Sequence, residues 1–95
     1  MFLKNYLNEF NYSLLKDTYN EDFISLIDEN NFIKIYNILI NNNLKFTEDI
    51  ILNYLDLFTL DSTILENKLN TLITKLGNNY PEKISKDLSL LNELY

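Results

Sequence analysis

The spacing of large apolar side chains at the start of the chain predicts an amphipathic helix. Leu3, Leu7, Phe10 and Leu14 recur at intervals of three and four residues, which places them on one face of a helix. This pattern predicts a first helix over about residues 3–17. Only one Pro and one Gly occur in the chain. An all-β fold is therefore disfavoured, because such folds need turn residues about every 8 to 12 positions.

The next two helices are predicted from a capping residue and from a change in the apolar pattern. Asn20 is the predicted N-cap of a short second helix over about 21–29, since Asn side chains accept hydrogen bonds from the free N–H groups of a helix start. A third helix, over about 31–41, is apolar around nearly its whole circumference. A helix with that pattern is buried, so it is predicted to be the central helix of the fold.

A fourth helix is predicted to begin after Thr47, the expected N-cap, and to continue to Phe58. Phe46 precedes the cap and can pack on Ile51 as a hydrophobic staple. The predicted inner face of this helix consists of Ile50, Ile51, Tyr54, Leu55 and Phe58.

The remainder of the chain predicts two more helices. A fifth opens at Asp61 and ends at Gly77, a residue favoured just beyond helix C-termini. Within it, Thr63 and Glu66 have the spacing of a capping box. Its apolar seam is formed by Leu65, Leu69, Leu72 and Leu76. Pro81 is favourable in the first turn of a sixth helix, whose predicted apolar face is Ile84, Leu88 and Leu91.

These elements together predict a single all-α domain over residues 1–95. The predicted architecture is a compact bundle or array of five or six short helices, with the third helix central. The connections are short, as compact helical domains prefer. Nearly every apolar residue is large (Leu, Ile, Phe or Tyr). This surplus of apolar bulk has two open explanations, an interface with a partner or a second copy, or a genome bias toward Ile and Phe.

The composition removes most catalytic and metal-binding chemistry. The chain has no Cys and no His, which excludes disulfides, thiolate zinc sites and the commonest general base. A single Gly cannot form a Gly-rich phosphate loop. The protein is therefore predicted not to be an enzyme, with no cofactor and no catalytic, cofactor-binding or metal-binding residues. The absence of Ala, Val, Gln, Trp and Arg is typical of a very AT-rich coding sequence.

The predicted location is the cytoplasm, and no membrane contact is predicted. No segment approaches the roughly 18 to 20 apolar residues that a transmembrane helix needs. The first residues carry a Lys and an Asn too early for the apolar region of a signal peptide.

The net charge of −6 is unevenly distributed. Residues 20–30 contain four acids and no Lys, and residues 46–67 contain five acids and no Lys. On a continuous fourth helix, Asp49, Asn53 and Asp56 would share one outward stripe. Two explanations remain open. The acids either stabilise helix starts and a solvated face, or form a patch that attracts a protein partner with a basic surface.

The candidate partner-binding residues follow from this charge pattern and from one Tyr outside the first apolar stripe. Tyr is a common interface anchor. The predicted partner-binding set is Asp49, Asn53, Asp56, Asp61, Glu66 and Tyr12. Direct nucleic-acid binding is disfavoured because the eight Lys are dispersed, whereas affinity for phosphates requires clustered cations.

One segment resembles a known helical repeat. The residues Leu44-Lys45-Phe46-Thr47-Glu48-Asp49-Ile50-Ile51, then Tyr54-Leu55-Asp56-Leu57-Phe58, a Leu-seamed helix and Gly77, look like one repeat of the mitochondrial transcription termination factor family. The family's pattern has Pro where Leu55 stands. The resemblance covers about residues 44–77 and implies a helical array. It does not transfer the family's nucleic-acid binding, because the family's groove is basic and this chain is acidic.

Three functions are predicted, in decreasing order of preference. The first is a small acidic protein that inhibits a partner by occupying its surface, of the anti-defence or anti-CRISPR type found in phages and mobile elements, or of the antitoxin or immunity type. The second is a structural subunit or adaptor that completes a bundle with another chain, or as a homodimer, through the third helix or the Leu65–Leu76 seam. The third is a short helical-repeat nucleic-acid binder.

Overall fold

A computed structural model describes all residues 1–95 and contains helices without any strand. The all-α fold predicted from the apolar spacing is therefore confirmed. The six α-helices are α1 (Glu9–Thr18), α2 (Glu21–Ser25), α3 (Glu29–Asn41), α4 (Thr47–Asn53), α5 (Ser62–Leu76) and α6 (Tyr80–Lys86). The three 3₁₀ helices are η1 (Phe2–Asn5), η2 (Leu55–Thr59) and η3 (Leu88–Leu94).

Helix α3 lies at the centre of the fold and packs against α4, η2 and α5. Its side chains Phe32, Ile35 and Leu39 are fully buried. The ring of Phe32 contacts four other aromatic rings. Three lie outside its helix, those of Phe2, Tyr6 and Phe58, at centroid distances of 5.2, 5.0 and 4.6 Å. The fourth is Tyr36 of α3 itself, at 6.1 Å. These contacts join the N-terminus, α3 and η2 in one core, and the predicted central position of the third helix is confirmed.

The single first helix predicted over 3–17 is wrong, because Asn8 caps a new helix in its middle. Asn8 has extended backbone geometry, and its side chain accepts a hydrogen bond from the N–H of Asn11 at 2.7 Å. Its own N–H donates to the Glu48 carboxylate on α4, also at 2.7 Å. The cap and this tertiary hydrogen bond separate η1 from α1.

The break changes which apolar side chains are buried. Leu3 and Leu7 lie in the core, but Phe10 is 77% exposed and Leu14 is also exposed. Leu15 takes the buried position on α1 instead. The predicted apolar face therefore fails beyond Leu7, since α1 has its own orientation relative to the core.

The boundary between the second and third helices also differs from the prediction. Asn20 is the N-cap of α2, as predicted, and accepts from the N–H of Asp22 at 2.7 Å. Helix α2 ends at Ser25 rather than near residue 29. The reason is that Asp28 caps α3, accepting from the N–H of Asn31 at 2.8 Å.

Helix α4 begins without a side-chain cap. Thr47, the predicted N-cap, is instead the first helical residue, and its side chain is buried. The helix ends at Asn53, where Tyr54 leaves helical geometry with a φ of −138°, and η2 follows. The predicted continuous helix to Phe58 is therefore wrong. Three of the five residues in this tighter 3₁₀ helix are buried, namely Leu55, Leu57 and Phe58.

Helix α5 opens at Asp61 as predicted, but without the predicted capping box. The carboxylate of Asp61 accepts from the N–H groups of Thr63 and Ile64, both at 3.0 Å, so the Thr63–Glu66 capping box is not formed. The predicted end is correct, with Gly77 at a φ of +84°. The seam buries Leu65, Leu69 and Leu72 and half-buries Leu76. Pro81 lies in the first turn of α6 as predicted, but Leu88 and Leu91 belong to η3.

Replacing Phe32 with Ala tests the central role of this ring. We expect Phe32→Ala to lower the free energy of unfolding by about 3 to 5 kcal/mol, because a fully buried ring with four aromatic neighbours would leave a cavity. The matched control is Phe10→Ala, which alters an exposed ring and is expected to change stability by about 0.5 kcal/mol or less. Urea unfolding followed by circular dichroism measures both. Equal losses for the two variants would contradict the assigned core.

Candidate protein-binding surface

The predicted acidic stripe of Asp49, Asn53 and Asp56 is divided by the end of α4. Asn53 is the last residue of that helix, and its side-chain amide donates to the Asp49 carbonyl at 2.8 Å. Asp56 lies beyond the break, in η2. Asn53 and Asp56 line one surface groove, whereas Asp49 lines another with Glu48 and Lys45. The prediction of one shared helical stripe is therefore wrong.

Asn53 and Asp56 both line an open groove of about 510 Å³, here called the aromatic groove. Its lining residues are Thr18, Tyr19, Asn20, Phe23, Asn53 and Asp56. The rings of Tyr19 and Phe23 are stacked, with centroids 6.0 Å apart and an interplanar angle of 26°. The Tyr19 hydroxyl donates to the Leu52 carbonyl at 3.1 Å, which fixes this ring against α4.

The residue Tyr95 reaches the edge of this groove and contacts Asp56. Its hydroxyl donates to one carboxylate oxygen of Asp56 at 2.7 Å, and its carbonyl accepts from the Lys68 ammonium at 2.7 Å. Partial burial of Tyr95, together with the adjoining Asp56 carboxylate, raises the pKa of the phenol well above its ordinary value. Asp56 is thus held in position by a protonated phenol, and its second oxygen has no protein partner.

Asp61 lies in a second depression, of about 390 Å³, here called the junction depression. It is lined by Leu26, Asp28, Asn31, Phe58, Thr59, Leu60 and Asp61. The Asn31 amide donates to the carbonyls of Phe58 and Leu60, both at 2.9 Å, and so joins the start of α3 to the end of η2. The two Lys-free acidic segments of the chain therefore meet at this point.

The two carboxylates of the junction depression are N-caps that keep one oxygen each available. Asp28 uses one oxygen to cap α3, and Asp61 uses one oxygen to cap α5. Leu26, which also lines this depression, is 79% exposed, and Ile64 in the first turn of the helix capped by Asp61 is 55% exposed. Protein interfaces typically have an apolar contact surrounded by a polar rim, and carboxylates beside exposed apolar side chains match that composition.

The two remaining predicted residues lie elsewhere. Glu66 is exposed on α5 and lines neither depression. Tyr12 is half-buried on α1, with the Lys16 ammonium 4.7 Å from its ring centroid, and it lines a separate cavity that also contains Glu21. The six predicted residues are thus distributed over several surfaces and do not form one site.

Sequence reasoning missed the apolar and aromatic members of these surfaces. Leu26 gives no signal, because it stands beside the buried Ile27 in a turn where no periodicity applies. Tyr19 and Phe23 are four residues apart, but a turn separates α1 from α2 between them. Asp28 offered a signal, since Asp is a preferred N-cap residue and its side chain can accept from the N–H three residues later, here that of Asn31.

The acids of the first two-thirds of the chain have no cationic partner within the protein. The ion pairs are Lys75–Glu93 at 2.6 Å and Lys86–Glu82 at 2.9 Å, both in the C-terminal part. Neither the aromatic groove nor the junction depression is lined by a Lys. The negative potential at these surfaces is therefore not neutralised by the chain itself.

Two further properties of the surface complete the description. No three acidic side chains lie close enough together to hold a metal ion. None of the helices combines the length and the apolar character required to cross a membrane.

The raised pKa of Tyr95 predicts a stability difference that depends on pH. The protonated phenol favours the folded state at pH values below the unfolded pKa of 10.0. Above this value the unfolded state loses its proton first, so the stability advantage of the parent over Tyr95→Phe should fall as the pH rises. The slope cannot exceed about 1.4 kcal/mol per pH unit for one proton. Urea unfolding of both proteins at about pH 8 to 11 measures it, and a difference independent of pH would contradict the assignment.

Comparison with known proteins provides no family for this chain. No family model, no curated protein and no solved structure matches it. The resemblance of residues 44–77 to a mitochondrial transcription termination factor repeat stays a prediction, and the function is argued from the surface alone.

Proposed function

We propose that this protein is a non-catalytic inhibitor that binds a basic protein surface and occupies it. The observation that carries the proposal is the junction depression, where Asp28 and Asp61 meet beside exposed Leu26 with no Lys among the lining residues. Carboxylates without an internal cationic partner favour association with a cationic surface, and exposed apolar side chains supply the desolvated contact that electrostatics alone does not.

The charge of the chain supports a steering role for this surface. Net charge of −6 on 95 residues attracts a basic partner over a distance limited by screening, about 8 Å at physiological salt. Such steering raises association rates rather than contact energy. An acidic protein of this kind competes directly with nucleic acid for a basic groove, because both are polyanions.

The class of inhibitor we propose is the anti-defence or anti-CRISPR type of phages and mobile elements, or the antitoxin or immunity type. Inhibition by occupying a partner's surface requires binding and no chemistry, which suits a chain without His, Cys or a phosphate-binding loop. The AT-rich residue usage fits a mobile genetic element. The proposed location is the cytoplasm, where such partners occur.

A structural subunit or homodimer is the second candidate, and one observation favours it. Phe10 and Leu14 are four residues apart on α1 and both exposed, so they form an apolar ridge. The regions first predicted for this purpose are less available, because Phe32, Ile35 and Leu39 of α3 and the seam residues Leu65, Leu69 and Leu72 are buried within the chain. Sedimentation equilibrium of the parent and of Phe10→Ser tests this candidate. A parent that is a monomer at high concentration, with a molecular mass equal to that of the variant, contradicts self-association.

Neutralising the two cap carboxylates tests the proposed function. Asp28→Asn and Asp61→Asn remove charge while keeping a good N-cap at both helices. We expect the double variant to bind the captured partner at least about tenfold more weakly, since two carboxylates at the contact are lost. The partner is first identified by affinity capture from the native host or its target organism, and the affinities are then measured by calorimetry.

The matched control for that experiment carries the same charge change on α6 and at the start of η3, whose residues do not line the junction depression. Glu82→Gln with Asp87→Asn removes two charges from α6 and the start of η3, and the amide oxygen introduced by the second substitution can still cap η3. Unchanged affinity in the Asp28/Asp61 variant, or equal weakening in the control, would overturn the proposal.

Binding of the parent to duplex DNA or RNA at about 50 mM salt would favour the nucleic-acid alternative instead.

A further inference from the structure

The aromatic groove contains hydrogen-bond acceptors whose partners are not supplied by the protein. The side-chain oxygen of Asn53 accepts no hydrogen bond, since only its amide nitrogen is engaged, on the Asp49 carbonyl. Asp56 receives the Tyr95 hydroxyl on one oxygen, and its other oxygen is free. The free acceptors thus belong to the last residue of α4 and to the second residue of η2, both of which line the groove.

The side-chain donors of the groove, in contrast, are nearly all engaged within the protein. The Thr18 hydroxyl donates to the Leu14 carbonyl at 2.8 Å, and the Tyr19 hydroxyl donates to the Leu52 carbonyl. Among these side chains, only the Asn20 amide is left without an acceptor. A ligand that matches this groove must therefore be rich in donors, and the unneutralised carboxylate requires it to be positively charged.

The aromatic lining of the groove restricts the ligand further. Tyr19 and Phe23, which line the groove together with Asn53 and Asp56, form a pair of stacked, half-buried rings. A flat cation gains from lying over aromatic faces, and the guanidinium of Arg combines planarity, charge and five donors in one group. The Lys ammonium is a compact, strongly hydrated charge that fits an acceptor pair and a flat ring less well.

We propose that the aromatic groove binds an arginine side chain of the basic partner, with its guanidinium over the Tyr19–Phe23 rings and its N–H groups directed at Asp56 and Asn53. The inference rests on the proposed function, because it identifies which side chain of that partner this acidic surface receives. Tyr95 is a positioning residue here, since its hydroxyl orients the Asp56 carboxylate and leaves the second oxygen free for the guanidinium.

The test uses the intact protein and a defined probe. N-acetyl-arginine amide is titrated into ¹⁵N-labelled protein, and N-acetyl-citrulline amide, which is neutral with nearly the same shape, serves as the probe control. We expect saturable amide shifts confined to residues 18–23 and 53–56 with the arginine probe and none with citrulline. The affinity should be weak for a single residue and should fall with salt.

Two conservative variants assign the interaction to its proposed residues. Asp56→Asn keeps an acceptor for Tyr95 but removes the charge, and Phe23→Leu keeps apolar volume but removes the aromatic face. Each should weaken arginine binding at least about fivefold, because a charge-assisted hydrogen bond or a cation–π contact is lost. The matched control is Glu9→Gln, which removes an equal charge. Glu9 lies nine residues before Thr18, so the two are about 13 Å apart along α1 by the helical rise per residue.

The outcomes separate this inference from the proposed function. No localised shift with the arginine probe, equal shifts with citrulline or with N-acetyl-lysine amide, or equal weakening by Glu9→Gln would overturn the groove assignment. If the groove variants leave the affinity for the basic partner unchanged while the Asp28/Asp61 variant lowers it, the groove assignment fails and the proposed function stands. Loss of arginine binding in both groove variants, with wild-type amide spectra elsewhere, supports it.

Discussion

Side-chain capping by Asn and Asp determines where four of the six α-helices, α1, α2, α3 and α5, begin, and the rest of the fold depends on those positions. Asn8, Asn20, Asp28 and Asp61 each accept a hydrogen bond from an N–H group in the first turn of the helix that follows. A chain with one Pro and one Gly has few other residues that stop a helix. The caps therefore divide long apolar stretches into short helices, and each new helix can meet the core at its own angle.

The core assembled from these helices is held by large side chains, and Phe32 illustrates how. Its ring is surrounded by aromatic rings from η1, η2 and α3 itself, so one residue links segments that are far apart in the sequence. Without Ala or Val, the chain fills its interior with Leu, Ile and aromatic residues. The same composition leaves some bulk outside the core, which is why Phe10, Leu26 and Ile64 are exposed.

The caps and the acidic surface are made from the same residues. Asp28 and Asp61 each use one carboxylate oxygen for a helix start, and the other oxygen is left for a depression without Lys. Helix-start chemistry and a partner-binding patch are therefore compatible explanations of the acidic segments, because a carboxylate has two oxygens to share between them. The Asn31 amide, which joins α3 to the end of η2, brings the two capped helices together.

The sequence by itself determined the helical class, the central position of residues 31–41, the Asn20 cap and the Gly77 stop, because each depends on local periodicity or on one residue's backbone preference. It also determined the charge of the surface. Tertiary structure decided that Asn8, one of several Asn able to cap a helix, interrupts the first helix, because its N–H also reaches Glu48 on a distant helix. It likewise placed Asp56 beside Tyr19 and Tyr95, and Asp28 beside Asp61. Contacts between residues about 30 to 40 positions apart depend on how helices pack, and no local pattern encodes that arrangement.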